Sequence, residues 1–85
     1  MDLITEPNRI YCTDENGKVL AEITFPEASG GVFDIAHTFV DDSLRGQGIA
    51  ARLVDLAAEE IKKRGGKITA SCSYAKHRLE KNGII

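Results

Sequence analysis

The chain has no tryptophan, one methionine, two prolines and two cysteines. Each scarcity removes a class of protein. Two cysteines, Cys12 and Cys72, are too few for the disulfide framework of a small secreted domain. No Cys/His spacing resembles a zinc site, so no metal is expected. No apolar run approaches the roughly 20 residues of a membrane span. The opening "MDLITEPNRI" lacks the basic start and apolar stretch of a signal peptide. A cytoplasmic protein with reduced thiols is the expectation. The formal net charge of −2 leaves no broad basic face for nucleic acid. Internal repeats, low-complexity segments and linkers are also missing.

What is present suits one soluble domain over residues 1–85. The sequence is 42% hydrophobic and 28% charged, ordinary for a globular chain. Its length allows a compact core but neither a second domain nor a deep enclosed cavity.

"RIYCTD" (Arg9–Asp14) and "KVLAEITF" (Lys18–Phe25) are rich in β-branched and aromatic residues. Asn16-Gly17 between them predicts a β-hairpin. Val19, Ala21, Ile23 and Phe25 share one face, with Glu22 and Thr24 on the other. Cys12 belongs to the core face with Ile10. "PEASGG" (Pro26–Gly31) reads as a loop. "VFDIAHTFV" (Val32–Val40) reads as one central strand, with Phe33, Ile35, His37 and Phe39 on a common face.

From Gln47 to about Arg64 the period becomes helical. Ile49, Leu53, Leu56, Ala57 and Ile61 form the core stripe. Lys62, Lys63 and Arg64 suit the negative end of the helix dipole, and Gly65-Gly66 ends the helix. "KITASC" (Lys67–Cys72) is a strand. "SYAKHRLEKN" (Ser73–Asn82) is a second helix, capped by Ser73 and ended by Gly83. Strand, long helix, strand makes one right-handed parallel crossover. With the hairpin, this predicts an α/β fold: a mixed sheet of about four strands with two helices.

Between the central strand and the long helix lies "DDSLRGQG" (Asp41–Gly48). Glycines at a helix entrance cost stability, but they let an anion approach bare backbone. A helix N-terminus attracts phosphate. Arg45 to Ala51 therefore read as a phosphate cradle. It is not a Walker loop, because no Gly-Lys-Ser/Thr follows. It is not a dinucleotide fingerprint either, because the third glycine position is Ala51. Glycines at such junctions also serve simply to make the turn.

"RGQGIA" (Arg45–Ala50) resembles the Gln/Arg-x-x-Gly-x-Gly/Ala motif of the GNAT superfamily of N-acetyltransferases. "CSYAKHRLEKNGI" (Cys72–Ile84) is similar to that family's downstream Asn-x-x-Ala-x-x-x-Tyr-x-x-x-Gly-Phe pattern, with Ala75 and Gly83 in register. His37-Thr38-Phe39-Val40 and Cys72–His77 resemble hallmarks of the small stand-alone YjdJ-like subfamily. The likeness runs from about Arg9 to Asn82. It implies a GNAT-like fold and acetyl-coenzyme A as co-substrate. It also implies a binding site of Val40, Arg45, Gly46, Gln47, Gly48, Ile49, Ala50, Ala51, Tyr74, Lys76 and His77. The basic clusters Lys62–Arg64 and Lys76–Arg78 are the two candidates for the 3′-phosphate of coenzyme A; the former also reads as a solvated helix end.

Two departures from the pattern bear on mechanism. The family's proton-donating Tyr falls at Leu79, and its Asn falls at Cys72. Cys72 precedes a helix N-terminus, which favours thiolate, and a thiolate beside a thioester can accept the acetyl group. His37 is the candidate base, and Tyr74 an alternative acid. The plainer alternatives are a packed, inert Cys72 and a hydrogen-bonded strand histidine. Glu22 and Asp34 lie in strands without a matching motif.

Three functions follow. One is an acetyl-coenzyme A-dependent acyltransferase, working directly or through acetyl-Cys72, on a small amine, a protein amine or a thiol. The second is a non-catalytic acetyl-coenzyme A-binding module or sensor. The third, a redox-sensing thiol protein, leaves the glycine loop unexplained. Oligomeric state stays open.

Overall fold

The computed structural model describes residues 2–85. Seven short strands and two helices follow the order β1 (Ile4–Glu6), β2 (Arg9–Thr13), β3 (Val19–Thr24), β4 (Glu27–Ser29), β5 (Val32–Ile35), β6 (His37–Val40), α1 (Ile49–Lys63), β7 (Lys67–Ala70) and α2 (Ser73–Lys81). A 3-10 turn at Asp42–Leu44 leads from β6 towards α1.

The predicted hairpin forms from β2 and β3, with Ile10 opposite Ile23 and Cys12 opposite Ala21. Its turn is held by Asp14, whose carboxylate accepts from the amides of Asn16 and Lys18. Gly17 supplies the required positive φ of 85°. Ile10, Cys12, Ala21, Ile23 and Phe25 are all buried, so the alternation read from sequence puts one face of the hairpin into the core.

Two strands lie outside the sequence expectation. β1 is three exposed residues that pair antiparallel with β2. β4 lies inside the stretch read as a loop and pairs with β5. Both are too short and too polar to carry an alternating signal; their partners' open edges recruit them.

The stretch from Val32 to Val40 is not one strand. It breaks at Ala36, whose amide donates to the carbonyl of Thr24. Before the break, β5 pairs parallel with β7, Phe33 opposite Ile68 and Ile35 opposite Ala70. After it, β6 pairs antiparallel with β3, Ala21 opposite Val40 and Thr24 opposite His37. The result is two sheets, β1-β2-β3-β6 and β4-β5-β7, joined at Ala36. The amides of Ser71 and Cys72 both donate to the carbonyl of Ile35. Beyond that point β6 and β7 diverge.

The break also reverses which side chains face inward. Phe33 and Ile35 are buried, but His37 and Phe39 are exposed while Thr38 and Val40 are half-buried. The expectation of one common face for all four aromatic, aliphatic and histidine positions is therefore corrected. An irregularity of one residue moves every later side chain to the opposite face.

α1 buries Ile49, Leu53, Val54, Ala57, Ala58 and Ile61. It packs over β3 and β6. It starts at Ile49, not Gln47, because Gly46 and Gly48 hold left-handed conformations that no helix interior accepts. It ends in a Schellman arrangement: Gly66 N–H donates to Ile61 and Gly65 N–H to Lys62. α2 ends the same way, with Ile84 N–H donating to Leu79 and Gly83 N–H to Glu80. Its N-cap is Cys72, not Ser73.

Candidate functional site

A cleft of about 470 Å³ opens between β6, the loop after it, the start of α1 and the first turn of α2. Its lining brings together Thr38 and Val40 of β6, Leu44, Arg45, Gly46 and Gly48 of the connecting loop, Ile49, Ala50 and Ala51 of α1, and Tyr74 of α2. These include most of the residues expected from the sequence to hold a cofactor. Gln47, Lys76 and His77 are exposed and stand outside this lining.

The loop is shaped by its two ends. Asp41 opens it by capping the 3-10 turn: its carboxylate accepts from the Ser43 amide at 3.0 Å and from the Ser43 hydroxyl at 2.6 Å. The bonds to the Ser43 side chain and backbone, with Lys18 nearby, hold the Asp41 carboxyl below the usual carboxylate range. Arg45 pairs with Asp42 at 2.8 Å. At the other end Gly48 is the N-cap of α1 with φ 70°.

Gly48 has no side chain to cap the helix, and the first turn contains no acidic residue. The first bond of the helix runs from Arg52 N–H to Gly48 carbonyl. The amides of Ile49, Ala50 and Ala51 therefore precede the ladder. These three residues line the cleft. A helix N-terminus with its partial positive charge uncancelled, facing an open cleft, is suited to an anionic oxygen. A Cβ on Gly46 or Gly48 would meet no atom within 4 Å. The glycines are thus needed for their backbone angles and not to avoid a clash within the protein.

Cys72, outside this lining, is half-buried and unpaired with Cys12. Its thiol lies 3.7 Å from the Thr38 hydroxyl. Adjacent strand residues point to opposite sides, and His37 accordingly meets a different partner, Glu22, at 3.7 Å. Glu22 also accepts from Arg9 Nε at 2.5 Å. That bond raises the Arg9 pKa above its ordinary value. Arg9 stacks on Tyr11, its guanidinium carbon 3.7 Å from the ring centroid. So Cys72 and His37 take part in separate contacts on either side of β6. The Glu22–His37 approach was legible in sequence only as two polar strand residues. Their register, which places His37 opposite Thr24 and next to Glu22, was not.

Leu79 is fully buried. It points into the core, and the phenol lining the cleft is Tyr74, 45% exposed. Among the described residues no group of three or more potential metal ligands occurs, and no helix is long and apolar enough to cross a membrane.

Comparison with known proteins bears on this geometry. Residues 9–84 match the family model for GCN5-related N-acetyltransferases. The solution structure of a GCN5-like protein from Staphylococcus aureus is similar over 95% of this chain and 79% of that one, at 40% identity and TM-score 0.76. The N-acetyltransferase YhbS from Escherichia coli, solved in complex with coenzyme A, matches over 73% of this chain and 38% of its own, at 25% identity and TM-score 0.61. A ribosomal-protein-alanine N-acetyltransferase from Brucella melitensis, 18% identical over 87% of this chain and 61% of its own, shares the fold at TM-score 0.61. The chain thus spans roughly four-fifths of the staphylococcal protein but less than two-thirds of the other two. No curated protein sequence matches it.

Proposed function

The chain belongs to the GCN5-related N-acetyltransferase family, and from that premise we propose that it binds acetyl-coenzyme A in the β6–α2 cleft and transfers the acetyl group. The observation that carries this reading is the uncapped N-terminus of α1 at the mouth of the cleft. The pyrophosphate would accept from the amides of Ile49, Ala50 and Ala51. The pantetheine arm would run along β6, whose edge facing away from β3 has no strand partner among the described residues. That puts the thioester beside Thr38, with Cys72 just behind it.

Cys72 is the proposed first acceptor. Its sulfur attacks the acetyl carbonyl carbon, and a new carbon–sulfur bond forms. The bond to the coenzyme A sulfur breaks, and coenzyme A leaves carrying the proton lost from Cys72. An acceptor amine or thiol then attacks acetyl-Cys72, and the Cys72 thiol is regenerated. The acceptor's proton ends on the Cys72 sulfur; His37, the base expected from the sequence, stands on the other side of β6 beside Glu22 and away from this exchange. The buried Leu79 has no proton to give, which is why a thiol-to-thiol exchange, needing no separate acid, suits this chain.

Incubation with acetyl-coenzyme A followed by intact-mass measurement tests the reading. The expected result is a gain of one acetyl group, removed by hydroxylamine and lost in Cys72→Ala. Binding of coenzyme A without acetyl transfer to Cys72 or to any of a panel of amines would instead indicate a non-catalytic acetyl-coenzyme A-binding module. Absence of binding by titration calorimetry would overturn both.

A further inference from the structure

Thr38 and Cys72 meet across the divergence of the two sheets. Thr38 is in β6, paired with β3; Cys72 follows β7, paired with β5. No backbone ladder joins β6 to β7. Among the described residues, the contact between the Cys72 thiol and the Thr38 hydroxyl, at 3.7 Å, is the side-chain hydrogen bond that spans the gap. Thr38 lines the cleft, whereas Cys72 does not. The sulfur therefore touches the cleft wall through the threonine without being part of that wall.

A hydroxyl is both donor and acceptor, and its proton rotates to suit its neighbour. Facing a thiol, Thr38 Oγ1 accepts from S–H; facing a thiolate, it donates to sulfur. A valine of the same shape does neither. We propose that Thr38 is a positioning residue that controls the reactivity of Cys72 by supplying its sulfur with a hydrogen bond. Its consequence for acetyl transfer rests on the function proposed above; its effect on the thiol does not.

The test is the rate of iodoacetamide labelling of Cys72 in the folded protein at one fixed pH, without acetyl-coenzyme A. Thr38→Val is expected to slow labelling about three- to tenfold, the worth of one net hydrogen bond. Thr38→Ser, which keeps the hydroxyl and loses the methyl, is expected to stay within roughly twofold of the unaltered protein. Cys12, 1% exposed, reports folding because it labels only when the core opens. Should valine open the core, Thr38→Ala replaces it with the same expected slowing. Labelling of the hydroxyl-free variant at or above the original rate overturns the proposal. So does a serine variant as slow as valine, which would make the methyl the cause. If acetyl-coenzyme A fails to acetylate Cys72 while the valine–serine difference holds, the acyl-carrier reading falls and the role of Thr38 stands.

Discussion

Arg78 of α2 grips Asp55 of α1 with two parallel bonds, Nε to Oδ1 at 3.2 Å and a terminal nitrogen to Oδ2 at 2.8 Å. The hydrogen bond to Asp55 raises the Arg78 pKa above its ordinary value. Asn82 adds a third, longer contact to Asp55 at 3.4 Å. This fork-to-carboxylate geometry sets the two helices side by side, and so sets where Tyr74 stands over the cleft. From the sequence, Arg78 belongs with Lys76 and His77 to one of two candidate clusters for the 3′-phosphate of coenzyme A. The structure employs it between the helices.

Lysine cannot reproduce the fork. Arg78→Lys and Asp55→Asn should each lower the melting temperature modestly, by no more than about 5 °C, the scale expected of a half-exposed pair in a small domain. The double variant should lose little more than either single one. Hydrogen exchange should quicken in Ser73–Lys81 while the β2–β3 hairpin stays protected. Equal loss of protection in both regions would mean that the clamp supports the whole core.

Two glycines should fail for different reasons. A Cβ on Gly66 would lie 2.7 Å from Phe33 Cδ1 and 3.0 Å from Ile61 Cγ2. Gly66→Ala therefore overpacks the core, at a cost of about 1–3 kcal/mol in denaturant unfolding. A Cβ on Gly48 would meet nothing, but φ is 70° there. Gly48→Ala should cost only about 1–2 kcal/mol, the strain of a left-handed residue. Its larger effect should be on coenzyme A affinity in calorimetry, reduced about tenfold or more as the loop amides turn from the phosphate position. Unchanged affinity would detach this loop from coenzyme A binding.

The Asp41 carboxyl is held below its unfolded value mainly by Ser43. A depressed folded pKa contributes stability above the unfolded pKa of about 3.9 and loses it as pH falls through the folded value. Asp41→Ala should therefore melt lower than the unaltered protein at pH 7. The gap should narrow as pH drops below about 4. A gap that is constant from pH 7 to pH 2 would show that the carboxylate charge has no part in the cap.

The elements set by local pattern were legible in the chain. Asn16-Gly17 specifies its hairpin because few residues accept the turn's backbone angles. The apolar stripe from Ile49 to Ile61 specifies a helix because its period matches 3.6 residues per turn. Gly65 and Gly83 mark helix ends for the same conformational reason. The Arg45–Ala51 loop, with the Cys72–Ile84 segment, was enough to indicate the family.

What needed tertiary structure was every feature that depends on a distant partner. Nothing local in Val32–Val40 announces that Ala36 leaves one sheet for another. That break arises because β5 is paired by β7 and β6 by β3, residues far apart in sequence. The same break turns His37 to Glu22 and Thr38 to Cys72. Side-chain period and turn chemistry are written along the chain. Strand pairing, and with it the direction in which each side chain of β6 acts, is decided by competition among backbone edges that only the folded molecule brings together.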